Sequence, residues 1–128
     1  MRLLLDTHAL LWWFTDDPQL SSRVRDVILD EANDVFVSAA SAWEISTKAR
    51  LGRLNSMSGI SDRFSELVAA DGFGHLAISY LHCLRAGAYR APHRDPFDRV
   101  LAAQSEIESL TLITRDPAFS LFESRTLW

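Results

Sequence analysis

The chain of 128 residues carries a net charge of −4, with 48% hydrophobic and 23% charged residues. That length suits one domain over residues 1–128, and the apolar fraction excludes a disordered chain, while the acid excess excludes a protein that coats nucleic acid by neutralising its phosphates with Lys and Arg. Cys83 is the only cysteine, which excludes an intrachain disulfide and a thiolate metal cluster; with no signal peptide and no run near the roughly 20 apolar residues of a membrane span, a cytoplasmic protein without membrane contact is expected.

Leu3-Leu4-Leu5 is an apolar run stopped by Asp6, the pattern of a buried strand that delivers an acid to its own carboxyl end. In an open α/β sheet, ligands bind outside that edge. His8 to Phe14 reads as a short helix, and Asp16-Asp17-Pro18 as a turn. Leu20, Val24, Val27 and Ile28 recur at helical spacing behind Ser21 or Ser22 as N-cap, and Asn33-Asp34 closes that segment. Val35-Phe36-Val37 is a second buried strand, followed by a helix from Ser38 to Leu51 that Gly52 stops.

Asn55 to Gly59 reads as a loop, and Ser61 as the cap of a helix carrying Phe64, Leu67 and Val68 that ends at Gly72. Leu76-Ala77-Ile78 reads as a third strand. Ser79 to Ala88 is a helix with Leu81, Leu84 and Ala88 on one face. Asp95 and Pro96 open the clearest helix, as N-cap and first helical residue, and Val100, Leu101, Gln104 and Ile107 continue it. Leu110 to Thr114 is a strand, Asp116-Pro117 repeats the cap signature, and Thr126-Leu127-Trp128 forms an edge strand. Strands alternating with helices imply a parallel sheet covered on both faces.

This topology brings four acids to one edge. Asp6 and Asp116 follow strands, Glu44 lies in the second turn of the helix after the second strand, and Asp98 in the first turn of the helix before the fourth. Crossover helices begin on the side where the preceding strand ends. Carboxylates so close repel one another and take up protons unless a cation intervenes. Mg²⁺ and Mn²⁺ suit such oxygen donors, and ions of this kind activate water and stabilise a leaving alkoxide in phosphodiester cleavage. No Ser-His-Asp set is indicated and Cys83 falls within a helix, so a covalent route lacks a nucleophile.

Each acid also has a structural reading. Asp116 suits an N-cap, Asp98 suits the third helical position through the helix dipole, and Glu44 suits an i, i+4 pair with Lys48. Asp6 has the weakest such reading, since an acid ending a buried strand needs a reason. Thr7 and Thr114 flank the acids. Lys48, Arg50 and Arg53 suit either a phosphate groove or a solvated face. Trp12, Trp13 and Phe14 read as core or subunit contact rather than a base-stacking platform, and the histidines His8, His75, His82 and His93 as surface or satisfied helical residues.

Four stretches, LLLDTHALLWW, SAASAWEISTKARLGRL, HRDPFDRVLAAQ and LTLITRDPAF, together resemble the PIN domain, specifically the VapC-like ribonuclease toxins of toxin-antitoxin pairs. The resemblance runs from Met1 to about Phe119. It implies a three-layer α/β/α sandwich with a parallel sheet of order 3-2-1-4-5, whose switch point lies between the first and fourth strands. It places the acidic set on Asp6, Glu44, Asp98 and Asp116, as catalytic and metal-holding residues, with Thr114 as the accompanying hydroxyl. HRDPFD offers two acids where the family pattern needs one, and Asp98, just before Leu101-Ala102-Ala103, fits it better than Asp95. The resemblance further implies a Mg²⁺- or Mn²⁺-dependent endoribonuclease acting on RNA through metal-activated water, a homodimer, and a VapB-like antitoxin partner.

Two other readings fail on motif. A phosphatase of the haloacid dehalogenase type needs an Asp where this chain has His8, and a receiver domain needs one beyond Ile78, where Ser79 and Tyr80 stand. The remaining rival is a PIN-like fold kept as a binding or scaffold module without catalysis.

Overall fold

The computed structural model describes residues 1–54 and 59–128. Five strands, β1 (Arg2–Leu5), β2 (Asp34–Ser38), β3 (Gly74–Leu76), β4 (Thr111–Ile113) and β5 (Thr126–Leu127), form one sheet in the order β3-β2-β1-β4-β5. Every neighbouring pair is parallel. The connections are the helices α1 (Thr7–Phe14), α2 (Ser22–Leu29), α3 (Ala39–Arg50), α4 (Phe64–Ala70), α5 (Tyr80–Ala88) and α6 (Pro96–Ile107), with a 3₁₀ turn over Pro117–Leu121. This is the three-layer α/β/α sandwich with order 3-2-1-4-5.

β1 is central because its three leucines have no polar face to offer solvent. Leu3 and Leu5 register with Val35 and Val37 on one side and with Thr111 and Ile113 on the other. They join Leu10, Val24, Ile28 and Val68 in one core layer, while Leu4 and Leu112 join Leu101, Ala102 and Phe119 in the other. Each buried leucine contributes about 1.5–3 kcal/mol relative to an exposed one. A run apolar at successive positions is thus explained by a strand covered on both faces.

Strand-to-helix junctions are closed by side-chain caps. Asp6, Ser21, Ser38, Ser79 and Asp95 accept backbone N–H bonds at the starts of α1, α2, α3, α5 and α6. α3 ends at Arg50 ahead of Gly52, whose φ of +69° is the left-handed conformation that favours glycine.

Two local expectations are corrected. Ser61 does not cap α4. Buried Ile60 pins a turn whose carbonyl accepts from the Arg63 N–H at 3.2 Å, and the helix starts at Phe64 with Arg63 as an N-cap that makes no side-chain bond. β3 is Gly74–Leu76 rather than Leu76–Ile78. Gly74 pairs with Phe36, and a Cβ there would sit 2.8 Å from the Phe36 ring, so a larger residue would have to displace that ring; beyond Leu76, the Ala77 carbonyl is taken by Gln104 Nε2 at 3.3 Å. On α5, Leu81, Leu84 and Ala88 do share a face, but it points outward, with His82 and Ala86 buried instead. The Asn55–Gly59 loop lies outside the described residues except for Gly59, which is in a turn.

Candidate active site

Asp6 follows β1, and its N–H continues the ladder to the Ile113 carbonyl at 3.1 Å. It therefore stands at the carboxyl edge where β1 meets β4, the switch point of the sheet. Asp6 Oδ1 also accepts from the Ala9 N–H at 2.7 Å, so the residue is the N-cap of α1, a role the sequence reading did not give it. Asp116 follows β4 and caps the 3₁₀ turn, Oδ1 accepting from Ala118 N–H at 2.9 Å. In each case one carboxylate oxygen is used by the cap, which fixes the side chain and leaves the second oxygen for other partners.

Thr114 ties the two together. Its hydroxyl oxygen accepts from the Asp116 N–H at 3.1 Å, leaving its proton to serve Asp6. Burial pushes the Asp6 carboxyl up from its ordinary value, the Thr114 hydroxyl opposes that rise, and the charge of Asp116 adds to it. Thr7, the other candidate hydroxyl, is committed to Ser41 Oγ at 3.0 Å and serves to join α1 to α3.

Glu44 and Asp98 form a second pair. Glu44 is 3% exposed, so its i, i+4 bond to Lys48 Nζ, 2.6 Å from Oε2, is no solvated surface pair. Its Oε1 is buried with no hydrogen-bond partner, an arrangement that costs free energy unless something else binds there. Asp98 Oδ2 is 2.8 Å from His93 Nε2. Burial pushes the Asp98 carboxyl up to about 6, with the charges of Asp95 and Glu44 adding to the rise and His93 opposing it. Asp95 is occupied elsewhere, its Oδ1 accepting from the N–H groups of Phe97 and Asp98 at 2.9 and 3.2 Å.

The four acids thus lie at one edge of the sheet, as two pairs. Among the described residues no three His, Cys, Asp or Glu side chains come together closely enough to hold an ion alone. Asp6 and Asp116 do line a common cavity of about 290 Å³ with His8, Trp12, Arg115 and Pro117. A larger hollow of about 650 Å³ opens at the opposite edge around Trp13, Asp34, Asp71 and Phe73; the raised carboxyl of Asp6 makes the smaller one the candidate for chemistry. The donor set fits a hard divalent cation. All its donors are oxygens, Glu44 Oε1 is unpartnered, and Mg²⁺ is commonly held by one or two carboxylates plus substrate phosphate.

His93 and Lys48 are the neighbours of the site. The Lys48 pair with Glu44 is the one that the i, i+4 spacing suggests, whereas the sequence groups His93 with surface or satisfied helical residues. Its contact with Asp98 depends on Arg99, whose guanidinium donates to the carbonyls of Ala86, Tyr89, Ala91 and His93 and so moulds the connection between α5 and α6. No pattern in the sequence announces a bend held by one side chain on four carbonyls.

A comparison with curated proteins gives no match. Solved structures do. VapBC2 from Rickettsia felis, bound to a promoter DNA fragment, is similar with a TM-score of 0.73 at 13% identity, covering 100% of this chain and 99% of that one. VapBC-1 from nontypeable Haemophilus influenzae gives 0.72 at 18% identity, and DNA-bound VapBC from Salmonella typhimurium 0.71 at 17%; each covers 99% of this chain and 97% of its own. At these identities the likeness is one of fold. Residues 3–123 match the PIN domain, and the chain belongs to that family of nucleases.

Proposed function

We propose that the protein is a Mg²⁺- or Mn²⁺-dependent endoribonuclease of the VapC type, acting in the cytoplasm as the toxin of a toxin-antitoxin pair, with Asp6, Glu44, Asp98, Asp116 and Thr114 as its catalytic set. The observation that carries the reading is the buried, unpartnered Oε1 of Glu44 at the same edge as three further acids, a gathering of carboxylate oxygens that suits a hard cation. Similarity to toxin-antitoxin complexes supports a VapB-like partner, and a homodimer is part of the same reading.

Asp6 and Asp116 would be the main ligands in this scheme, each oriented by the helix or turn it caps, and Thr114 would fix their mutual geometry. Glu44 and Asp98 would hold a second ion or orient the attacking water. When bound, a divalent cation lowers the pKa of water and neutralises charge on the phosphoryl oxygens. Water attack at phosphorus with the 3′-oxygen leaving yields 5′-phosphate and 3′-hydroxyl ends. Cleavage of single-stranded RNA is expected to vanish with EDTA and return with Mg²⁺ or Mn²⁺ but hardly with Ca²⁺, whose looser shell positions oxygens poorly. Cleavage that survives chelation, or that leaves 2′,3′-cyclic phosphate ends, defeats the assignment.

One observation favours the rival reading of a binding module without catalysis: Lys48 and His93 already contact Glu44 and Asp98. A melting curve separates the two. A cation that binds the native state alone raises the melting temperature, so Mg²⁺ or Mn²⁺ is expected to stabilise the wild type, and much less so Asp6→Asn. A melting point indifferent to both ions favours the module.

A further inference from the structure

The cavity around Asp6 and Asp116 has a second wall that the cleavage chemistry leaves unused. The guanidinium of Arg115 lies over the Trp12 ring, 4.4 Å from its centroid, and its Nη2 donates to Gln19 Oε1 at 2.7 Å. Trp12 is buttressed edge-on by Trp128 at 5.8 Å, and the exposed His8 ring lies 5.7 Å from it. Arg115 directly precedes Asp116, yet among the described residues it makes no ion pair. A guanidinium seated over an indole and tethered at one nitrogen is pre-oriented, with several N–H donors still open.

Such a group suits a ligand that joins a flat ring to an anion. Arginine planes stack bases, and their donor forks match phosphate oxygens. The volume of about 290 Å³ is at the low end of small-molecule sites, enough for one nucleotide rather than a length of polypeptide. We propose that the cavity walled by His8, Trp12, Arg115 and Pro117 is a subsite for the nucleotide next to the scissile bond, its base stacked on the Arg115–Trp12 pile and its phosphate held by the open donors of Arg115. The assignment rests on the nuclease reading for its place beside the reaction, and it departs from the sequence expectation that Trp12 is a core or subunit contact rather than a base-stacking platform.

The test is a nuclear magnetic resonance titration of the full chain in Mg²⁺ with uridine and adenosine 5′-monophosphates, following the indole N–H of Trp12, assigned through Trp12→Phe. A saturable shift is expected. Its dissociation constant should rise about tenfold in Arg115→Ala and in Arg115→Gln, a loss typical of a stacked, charge-assisted contact, and stay unchanged in Arg63→Ala, which removes a distant exposed cation. The subsite is overturned by the absence of a Trp12 shift, by equal weakening in Arg63→Ala, or by a tetra-arginine peptide that competes for the cavity, which would mark it as a polypeptide site. Nucleotide binding that depends on Arg115 in a protein that cleaves no RNA would sink the nuclease reading and leave the subsite standing. Cleavage with nucleotide affinity indifferent to Arg115 would do the reverse.

Discussion

Asp95 and Asp98, three residues apart at the start of α6, do different work. Asp95 spends its carboxylate on the helix N-terminus, whereas Asp98 faces His93. Asparagine caps about as well as aspartate, so Asp95→Asn is expected to keep most RNA cleavage and stability, and Asp95→Ala to lose about 1 kcal/mol of stability. Asp98→Asn should lose most of the cleavage; the reverse order in a single-turnover assay would show that the acid is Asp95. Asp98 also predicts a pH dependence in metal-free protein. Its carboxyl is raised from 3.8 to about 6 by burial, against the opposing contact with His93, so its contribution to stability is fully present below 3.8 and lost as pH rises through about 6. Wild type should therefore weaken relative to Asp98→Asn between pH 4 and 7.5, by about 1–2 kcal/mol after allowance for solvent screening. Parallel denaturation curves over that range would refute the shift.

At the scale of elements, β3 depends on a missing side chain. Gly74→Ala places a Cβ against the Phe36 ring and is expected to cost about 1–3 kcal/mol, as overpacking does, read as a lowered urea midpoint with an unchanged slope. Glycine is depleted in strands, which is why the apolar Leu76-Ala77-Ile78 drew the sequence reading two residues too far. The other strands were legible because their apolar runs are continuous, and α6 because Asp95-Pro96 is an unambiguous start. Ser61 misled for a different reason: a capping residue types a helix start only if no buried neighbour holds the chain in another turn, and Ile60 does so here. The positions of Asp6, Glu44, Asp98 and Asp116 along strands and helices followed from topology. The partners that modulate them, His93 through the Arg99-held bend and Arg115 over Trp12, depend on contacts between residues far apart in sequence or in irregular backbone, where periodicity carries no signal.

At the scale of the whole molecule, dimerisation is the prediction that composition and family both motivate. Tyr80, Leu81 and Leu84 on α5 and Trp43 on α3 stand exposed. Sedimentation at micromolar concentration is expected to give twice the 14.4 kDa of the chain; a species at the single mass would remove the homodimer. No helix among the described residues is long and apolar enough to cross a membrane. The pairing of β1 with β4 has a consequence in time. Asp6 and Asp116 are separated by about 110 residues of sequence and meet only when β4 has emerged from the ribosome and docked. At about 5–20 residues per second, a nascent chain spends roughly 5–20 s with Asp6 made and Asp116 absent. If the proposed activity is right, the chain is harmless throughout its own synthesis, and that delay is an interval in which an antitoxin already present can reach it before it first cuts.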